Sequence, residues 1–141
     1  MYQQEAGQVS TDDALLRVSR YWDSRPCNSR HSDVDIDSDP LRYSREVTSR
    51  KFLAEPHLML FMPPDNPKPV PDREQLPGMR ILDMGCGIGT QSLWLAGYGA
   101  SVLGVDISAA SLEIAQRRLR AENEIYRTVN EVDLDAHFMV G

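Results

Sequence analysis

"ILDMGCGIGT", residues 81–90, is the stretch on which the fold turns. An apolar run containing Asp83 leads into three glycines at alternate positions, Gly85, Gly87 and Gly89. Glycine lets the backbone enter left-handed conformations and lets a ligand approach with no Cβ in the way. The run before it, "MRILDM", has the length and composition of a short apolar strand. "TQSLWLAGYG" after it reads as a helix closing on glycine, with Leu93 and Ala96 or Gly97 on one side. In parallel α/β units, such a strand–turn–helix junction lies where ligands bind, beyond the carboxyl ends of the strands.

The alternation continues C-terminally. "ASVLGV" is a second strand, and Asp106 ends it 21 positions after Gly85. Ser108 is placed to cap the helix "AASLEIAQRRLRAENE", in which Leu112, Ala115 and Leu119 recur at spacings of three and four. "AHFMV" is a third short strand. Strand, helix, strand, helix, strand implies right-handed crossovers and a parallel sheet with flanking helices.

Upstream the pattern differs. Residues 1–9 are polar. Ser10 and Asp13 have capping-box-like spacing, and Leu15, Val18 and Trp22 follow at helical intervals, which predicts a helix over 12–22. "DSRPCNSRHSDVDIDSD" is polar, broken by Pro26, and reads as loop. Asp39-Pro40 gives an N-cap and a proline at the first helical position, opening a helix to about Ala54 with Tyr43, Val47 and Leu53 on or near one face. "HLMLFM" is a short apolar continuation beyond Pro56. Residues 63–78 hold six of the nine prolines and read as a semi-extended linker, either a plain connector or the hinge of a lid. The chain thus divides into a helical N-terminal extension and possible lid (1–62), the linker (63–78) and an α/β segment (79–141).

Composition bounds the function. The chain has 141 residues, a net charge of −6, and 41% hydrophobic and 26% charged residues, as in ordinary globular proteins. Acidity counts against broad nucleic-acid binding. Cys27 and Cys86 make no disulfide framework and read as reduced thiols. The N-terminus lacks the basic and apolar regions of a leader, and no apolar run approaches the ~20 residues of a membrane span. A cytoplasmic protein is the default expectation.

The glycine turn and Asp106 together describe a pocket for an adenosine-bearing molecule. A carboxylate accepts two hydrogen bonds, and vicinal ribose hydroxyls offer two. The dinucleotide fingerprint G-x-G-x-x-G is not met: the spacing is G-x-G-x-G, and Thr90 stands where that fingerprint wants the third glycine. No Walker lysine follows. Asp83 beside the turn would repel pyrophosphate and would suit a ligand carrying an ammonium and a sulfonium.

With those residues in place, "ILDMGCGIGT" followed by "VLGVDIS" resembles the first two motifs of class I S-adenosylmethionine-dependent methyltransferases of the type 11/12 kind, over about residues 80–141. The resemblance implies a partial Rossmann-like α/β methyltransferase fold, three parallel strands in the order 3-2-1 with flanking helices, and S-adenosyl-L-methionine as cofactor. It implies that Gly85, Gly87 and Gly89 line the methionine part, that Asp83 helps orient its amino group, that Asp106 holds the ribose, and that Ile107 lies near the adenine. Cys86 and Thr90, within the same turn, complete the candidate cofactor-binding set. "YWDSRPCNSRHS" and "SRKFLAEPHL" also resemble the N-terminal region of a bacterial-type subgroup of small-molecule methyltransferases.

Other motifs weigh less. Cys86 is expected to pack rather than to attack, with no histidine nearby in sequence. Asp35, Asp37, Asp39 and Glu46 fall at positions 1, 3, 5 and 12 of an EF-hand, but position 6 is Pro40, whose φ is locked where a sharp turn is needed. "YWDSRPCNSRHS" admits base stacking, structural packing or a lid over the cofactor. His57 and His137 read as structural or exposed, and no metal-ligand spacing occurs. His31 or Tyr21 could serve as a general base, but no pattern selects a catalytic residue.

The resembling fold has seven strands in the order 3-2-1-4-5-7-6, and only the first three are in this sequence. The expectation is an N-terminal portion of a methyltransferase acting on a small molecule, with little activity alone and a tendency to associate. Two alternatives stand beside it: part of an RNA- or protein-directed methyltransferase, and a non-catalytic Rossmann-like interaction module. The acceptor and the oligomeric state are open.

Overall fold

The computed structural model describes residues 10–57 and 76–141. The elements run α1 (Thr11–Ser24), α2 (Pro40–Ala54), β1 (Arg80–Met84), α3 (Thr90–Gly97), β2 (Ser101–Asp106), α4 (Ala109–Asn130) and β3 (Ala136–Val140). The three strands form one parallel sheet, as the alternation predicted, in the order β1-β2-β3 that the resemblance implied. Leu82 pairs with Leu103, and Leu103 with His137.

That register sorts the side chains into two faces. Ile81, Val102 and Ala136, then Asp83, Gly104 and Phe138, lie on one side; Leu82, Leu103 and His137, then Met84, Val105 and Met139, lie on the other. Helices α3 and α4 cover the first side. Leu93, Leu95 and Ala96 of α3 pack with Val102, Ala136, Ala100 and Leu134 into the main core, with Ile81 and Phe138 at its margin. On the second side Leu82, Met84 and Met139 are exposed.

The caps behave as their chemistry dictates. Ser10 Oγ accepts from Asp13 N, Asp39 Oδ1 from Arg42 N, and Ser108 Oγ from Ser111 N. Helix α4 runs to Asn130, beyond the expected "AENE" end. Below it, Asn123 Oδ1 accepts from Leu134 N at 2.9 Å, and Arg127 grips Asp133 with two hydrogen bonds, so the chain turns directly into β3.

Two expectations about apolar faces need correcting. Leu53, placed near the buried face of α2, is 81% exposed, while Tyr43 and Val47 are buried against Ile36 and Ile88. Six positions from Val47 is 600° of helical turn, far from its face. In α1 the stripe Leu15, Val18 and Trp22 forms the helix, yet no residue of α1 is buried. Polar bonds hold α1 to the rest. The "HLMLFM" continuation from Leu58 onward, and most of the 63–78 linker, lie outside the described residues. Among the described residues no helix is long and apolar enough to cross a membrane.

Candidate functional site

The turn after β1 is held by the end of β2. Gly85 N and Cys86 N both donate to Val105 O, at 2.8 and 3.1 Å. Gly85, Gly87 and Gly89 all have positive φ, +74°, +54° and +74°, which side-chain-bearing residues rarely adopt. Their surroundings differ. A Cβ on Gly85 or Gly87 would meet nothing within 4 Å, whereas one on Gly89 would lie 2.8 Å from Phe138 Cζ and 3.0 Å from Ala115 Cβ. Gly85 and Gly87 therefore bare their backbone to open space. Gly89 seats the N-terminus of α3 against the core.

Asp106 closes the other side. Its Oδ2 accepts from Gly87 N and its Oδ1 from Ser108 N, both at 2.8 Å. The carboxylate thus faces the glycine turn and bridges the two loops. An ionised carboxylate has about four acceptor sites, so about two remain for a ligand. A cleft of about 490 Å³ opens here, floored by Met84, Gly85, Gly87, Val105, Asp106 and Ile107. That is within the usual range for small-molecule sites. Trp22 and Cys27, from the end of α1 and the turn after it, stand on its other side.

The candidate residues are thus divided. The structure brings Gly85, Gly87, Asp106 and Ile107 together in the cleft. Asp83 points to the helix side of the sheet, where the strand alternation puts it, and accepts a 2.6 Å hydrogen bond from Ser92 Oγ of α3. Cys86 is buried, and burial first, then Asp83 and Asp106, pushes its thiol up to about 12, so it stays protonated. Thr90 is buried, and its Oγ1 accepts from Arg118. Those three, with Gly89, build the wall behind the cleft. The acids once compared with an EF-hand are engaged elsewhere: Asp39 caps α2, Asp37 pairs with Arg117, and Glu46 binds Arg42, Ser32 and the backbone of Asp33.

Three residues escaped the sequence reading. Asp23 Oδ1 accepts from Ser108 Oγ at 2.8 Å and from Ala110 N at 3.1 Å, so a carboxylate of α1 caps α4 right beside Asp106. These bonds hold the carboxyl below its usual range. Ser19 Oγ of α1 donates to Ile107 O. Separations of more than 80 residues leave no local trace of either contact.

Arg118 is the third. It is fully buried, and all its bonds go to neutral acceptors: Ser44 Oγ and O, Thr48 Oγ1, Thr90 Oγ1 and Ile88 O. Burial lowers it to about 10, still protonated at neutral pH. It ties α2 to the end of the glycine turn. A signal was available here, because Arg118 lies three residues from Ala115 on the apolar stripe of α4.

Comparison with known proteins bears on this geometry. Residues 81–138 match the family described as a methyltransferase domain. The methyltransferase GfsG of Streptomyces halstedii is 46% identical over 46 residues, which make up 32% of this chain and 16% of that protein. The ubiquinone biosynthesis O-methyltransferase of Methylocella silvestris is 38% identical over 81 residues, 56% of this chain and 28% of that one. The chain therefore spans less than a third of these curated relatives. In fold it is similar to magnesium protoporphyrin IX methyltransferase of Synechocystis PCC 6803, solved with bound SAM, at a TM-score of 0.52 and 23% identity, covering 90% of this chain and 53% of that one. A parallel sheet in this order, a glycine turn bared to a cleft and a strand-ending carboxylate bonded to that turn accompany the family match: residues 81–138 match a methyltransferase domain and take a Rossmann-like α/β fold.

Proposed function

We propose that this chain is the cofactor-binding portion of an enzyme that transfers a methyl group from S-adenosyl-L-methionine to a small molecule. The observation that carries this reading is the Asp106 carboxylate, bonded to Gly87 N and Ser108 N at the edge of a cleft floored by bare glycine backbone. When bound, the cofactor supplies a sulfonium-activated methyl group. The residues of this chain hold it. The free acceptor sites of Asp106 suit the paired ribose hydroxyls, and Ile107 offers an apolar edge to the adenine. The open backbone at Gly85 and Gly87 admits the methionine part. Asp83, turned toward Ser92, acts through the position of α3 and the local field rather than by direct contact. Orientation is the main demand of an in-line displacement at carbon.

In the same reading, residues 1–62 form a lid, with Trp22 and Cys27 as its inner surface and Asp23 as its latch on α4. Residues 63–78 connect that lid to the methyltransferase segment. The small-molecule acceptor class fits the names of most relatives, among them quinone and porphyrin methyltransferases.

The test is calorimetric titration with S-adenosylhomocysteine. The parent chain is expected to bind, and Asp106→Ala to lose roughly tenfold or more in affinity, the worth of a hydrogen-bond pair to a charged group. Circular dichroism checks that the variant is folded. Equal affinity of parent and folded variant would remove Asp106 from the site.

A further inference from the structure

The turn after α1 also lines a second hollow. A cavity of about 470 Å³ is lined there by Arg25, Pro26, Asn28, Ser29, Arg30 and His31. We propose that it is a subsite for the anionic group, carboxylate or phosphate, of the small molecule that accepts the methyl group. The proposal rests on the methyltransferase reading of the neighbouring cleft.

The turn is built rather than incidental. Ser29 N and Ser29 Oγ both donate to Pro26 O, at 3.3 and 2.7 Å, and His31 N donates to Asn28 O at 3.1 Å. Asn28 takes φ +63°, a conformation asparagine tolerates better than most residues. Tyr43 Oη, from the buried face of α2, donates to Ser29 O at 2.8 Å and fixes the turn against the fold.

Its charges are left unanswered. Arg42, Arg50, Arg117 and Arg127 each meet a carboxylate. Among the described residues Arg25 and Arg30 meet none; Arg25 lies over the Tyr21 ring, 5.9 Å from its centroid, which leaves its N–H edge available. Among the described residues Arg17 and Arg20 on α1 meet no carboxylate either, so unpaired arginines alone do not mark a site. The distinguishing feature is His31, whose Nδ1 is buried and has no hydrogen-bond partner among the described residues. A buried polar nitrogen without a partner is costly, and such groups are rare in folded chains. An anion would accept from the guanidinium edges in forked fashion, and a rotation of the imidazole toward it would give Nδ1 the partner it lacks.

The link to the acceptor is the chain itself. Cys27, inside the same turn, lines the glycine cleft. Seven consecutive residues thus wall both hollows, and a molecule anchored by its acid at Arg25 and Arg30 would extend past Cys27 toward the methyl-transfer cleft.

The experiment follows arginine Nε–H and imidazole signals of the full chain by nuclear magnetic resonance during titration with inorganic phosphate and, separately, benzoate. Saturable shifts at Arg25, Arg30 and His31 are expected. Arg25→Gln with Arg30→Gln should weaken binding roughly tenfold or more, and Arg17→Gln with Arg20→Gln should not change it. Shifts that never saturate, or that move Arg17 and Arg20 equally, overturn the proposal. So does unchanged affinity in the Arg25→Gln, Arg30→Gln variant; should that double variant unfold, the two single variants decide. Phosphate binding without benzoate binding, or the reverse, identifies the group and supports the site. S-adenosylhomocysteine titration of the same samples separates the two readings. Its failure with anion binding intact strikes the cofactor cleft, while its success with anion binding absent strikes only the subsite.

Discussion

At Gly87 and Gly89 the same residue type does two jobs two positions apart. Gly87→Ala puts a methyl group into open space at φ +54°, so the protein bears only the left-handed strain, about 1 kcal/mol. Gly89→Ala bears that strain and also meets Phe138 Cζ at 2.8 Å, in a core that resists overpacking, for a loss of about 2–4 kcal/mol. Thermal unfolding should therefore rank Gly89→Ala well below Gly87→Ala in stability. Titration with S-adenosylhomocysteine should reverse the order, because only the Gly87 methyl group intrudes on the cleft. A Gly87→Ala chain that binds as well as the parent would mean that the ligand does not lie along this turn. This difference could not be read from "GCGIGT", where the three glycines look equivalent. Strand alternation requires Asp83 and Met84 to face opposite ways, but it does not say which face the helices cover.

Elements were more legible where a local signal fixes them than where a distant partner does. The caps at Ser10, Asp39 and Ser108, the proline at the start of α2 and the alternation of the three strands all follow from neighbouring residues. The docking of α1 and α2 does not, because it runs through Asp23 and Arg118, whose partners lie some 70–90 residues away. Arg118→Met strands Ile88 O and the hydroxyls of Ser44, Thr48 and Thr90 without their donor, while sparing the cost of a buried charge. Replacing only one side of such a network leaves the other unsatisfied, so a net loss of about 2–4 kcal/mol is expected in urea unfolding. Arg118→Lys should recover little, since an ammonium cannot reproduce the five-donor fork. Glu46 makes a pH-dependent joint of the same kind. Backbone donation from Asp33, then Arg42, then Ser32, draws its carboxyl from 4.5 to about 2. The folded pKa is depressed, so its contribution is full above about 4.5 and is lost as pH falls toward about 2. Glu46→Gln should melt below the parent at neutral pH, with the gap closing across that window. A gap that persists at pH 2 would assign the effect to shape rather than charge.

For the whole molecule the decisive asymmetry is that α3 and α4 lie on one face of the sheet only. Leu82 and Met84 are 58% and 70% exposed on the other face, and Met139 and Val140 at the end of β3 are 51% and 58% exposed. The outer edge of β1 has no strand beside it among the described residues. An apolar face next to unpaired backbone is a template for pairing with another chain. The chain as given is therefore expected to associate in a concentration-dependent way, visible as a rising weight-average mass in sedimentation velocity. Leu82→Lys with Met139→Lys places charge on that face without touching the helix side, where the core lies. It should shift the distribution toward monomer while leaving the circular dichroism spectrum unchanged. If the bare face drives association, the same pair must also leave S-adenosylhomocysteine affinity intact, since neither residue lines the glycine cleft. Association that survives both lysines would move the cause to the exposed stripe of α1, Leu15, Leu16 and Val18, which lies on the N-terminal helix rather than on the sheet.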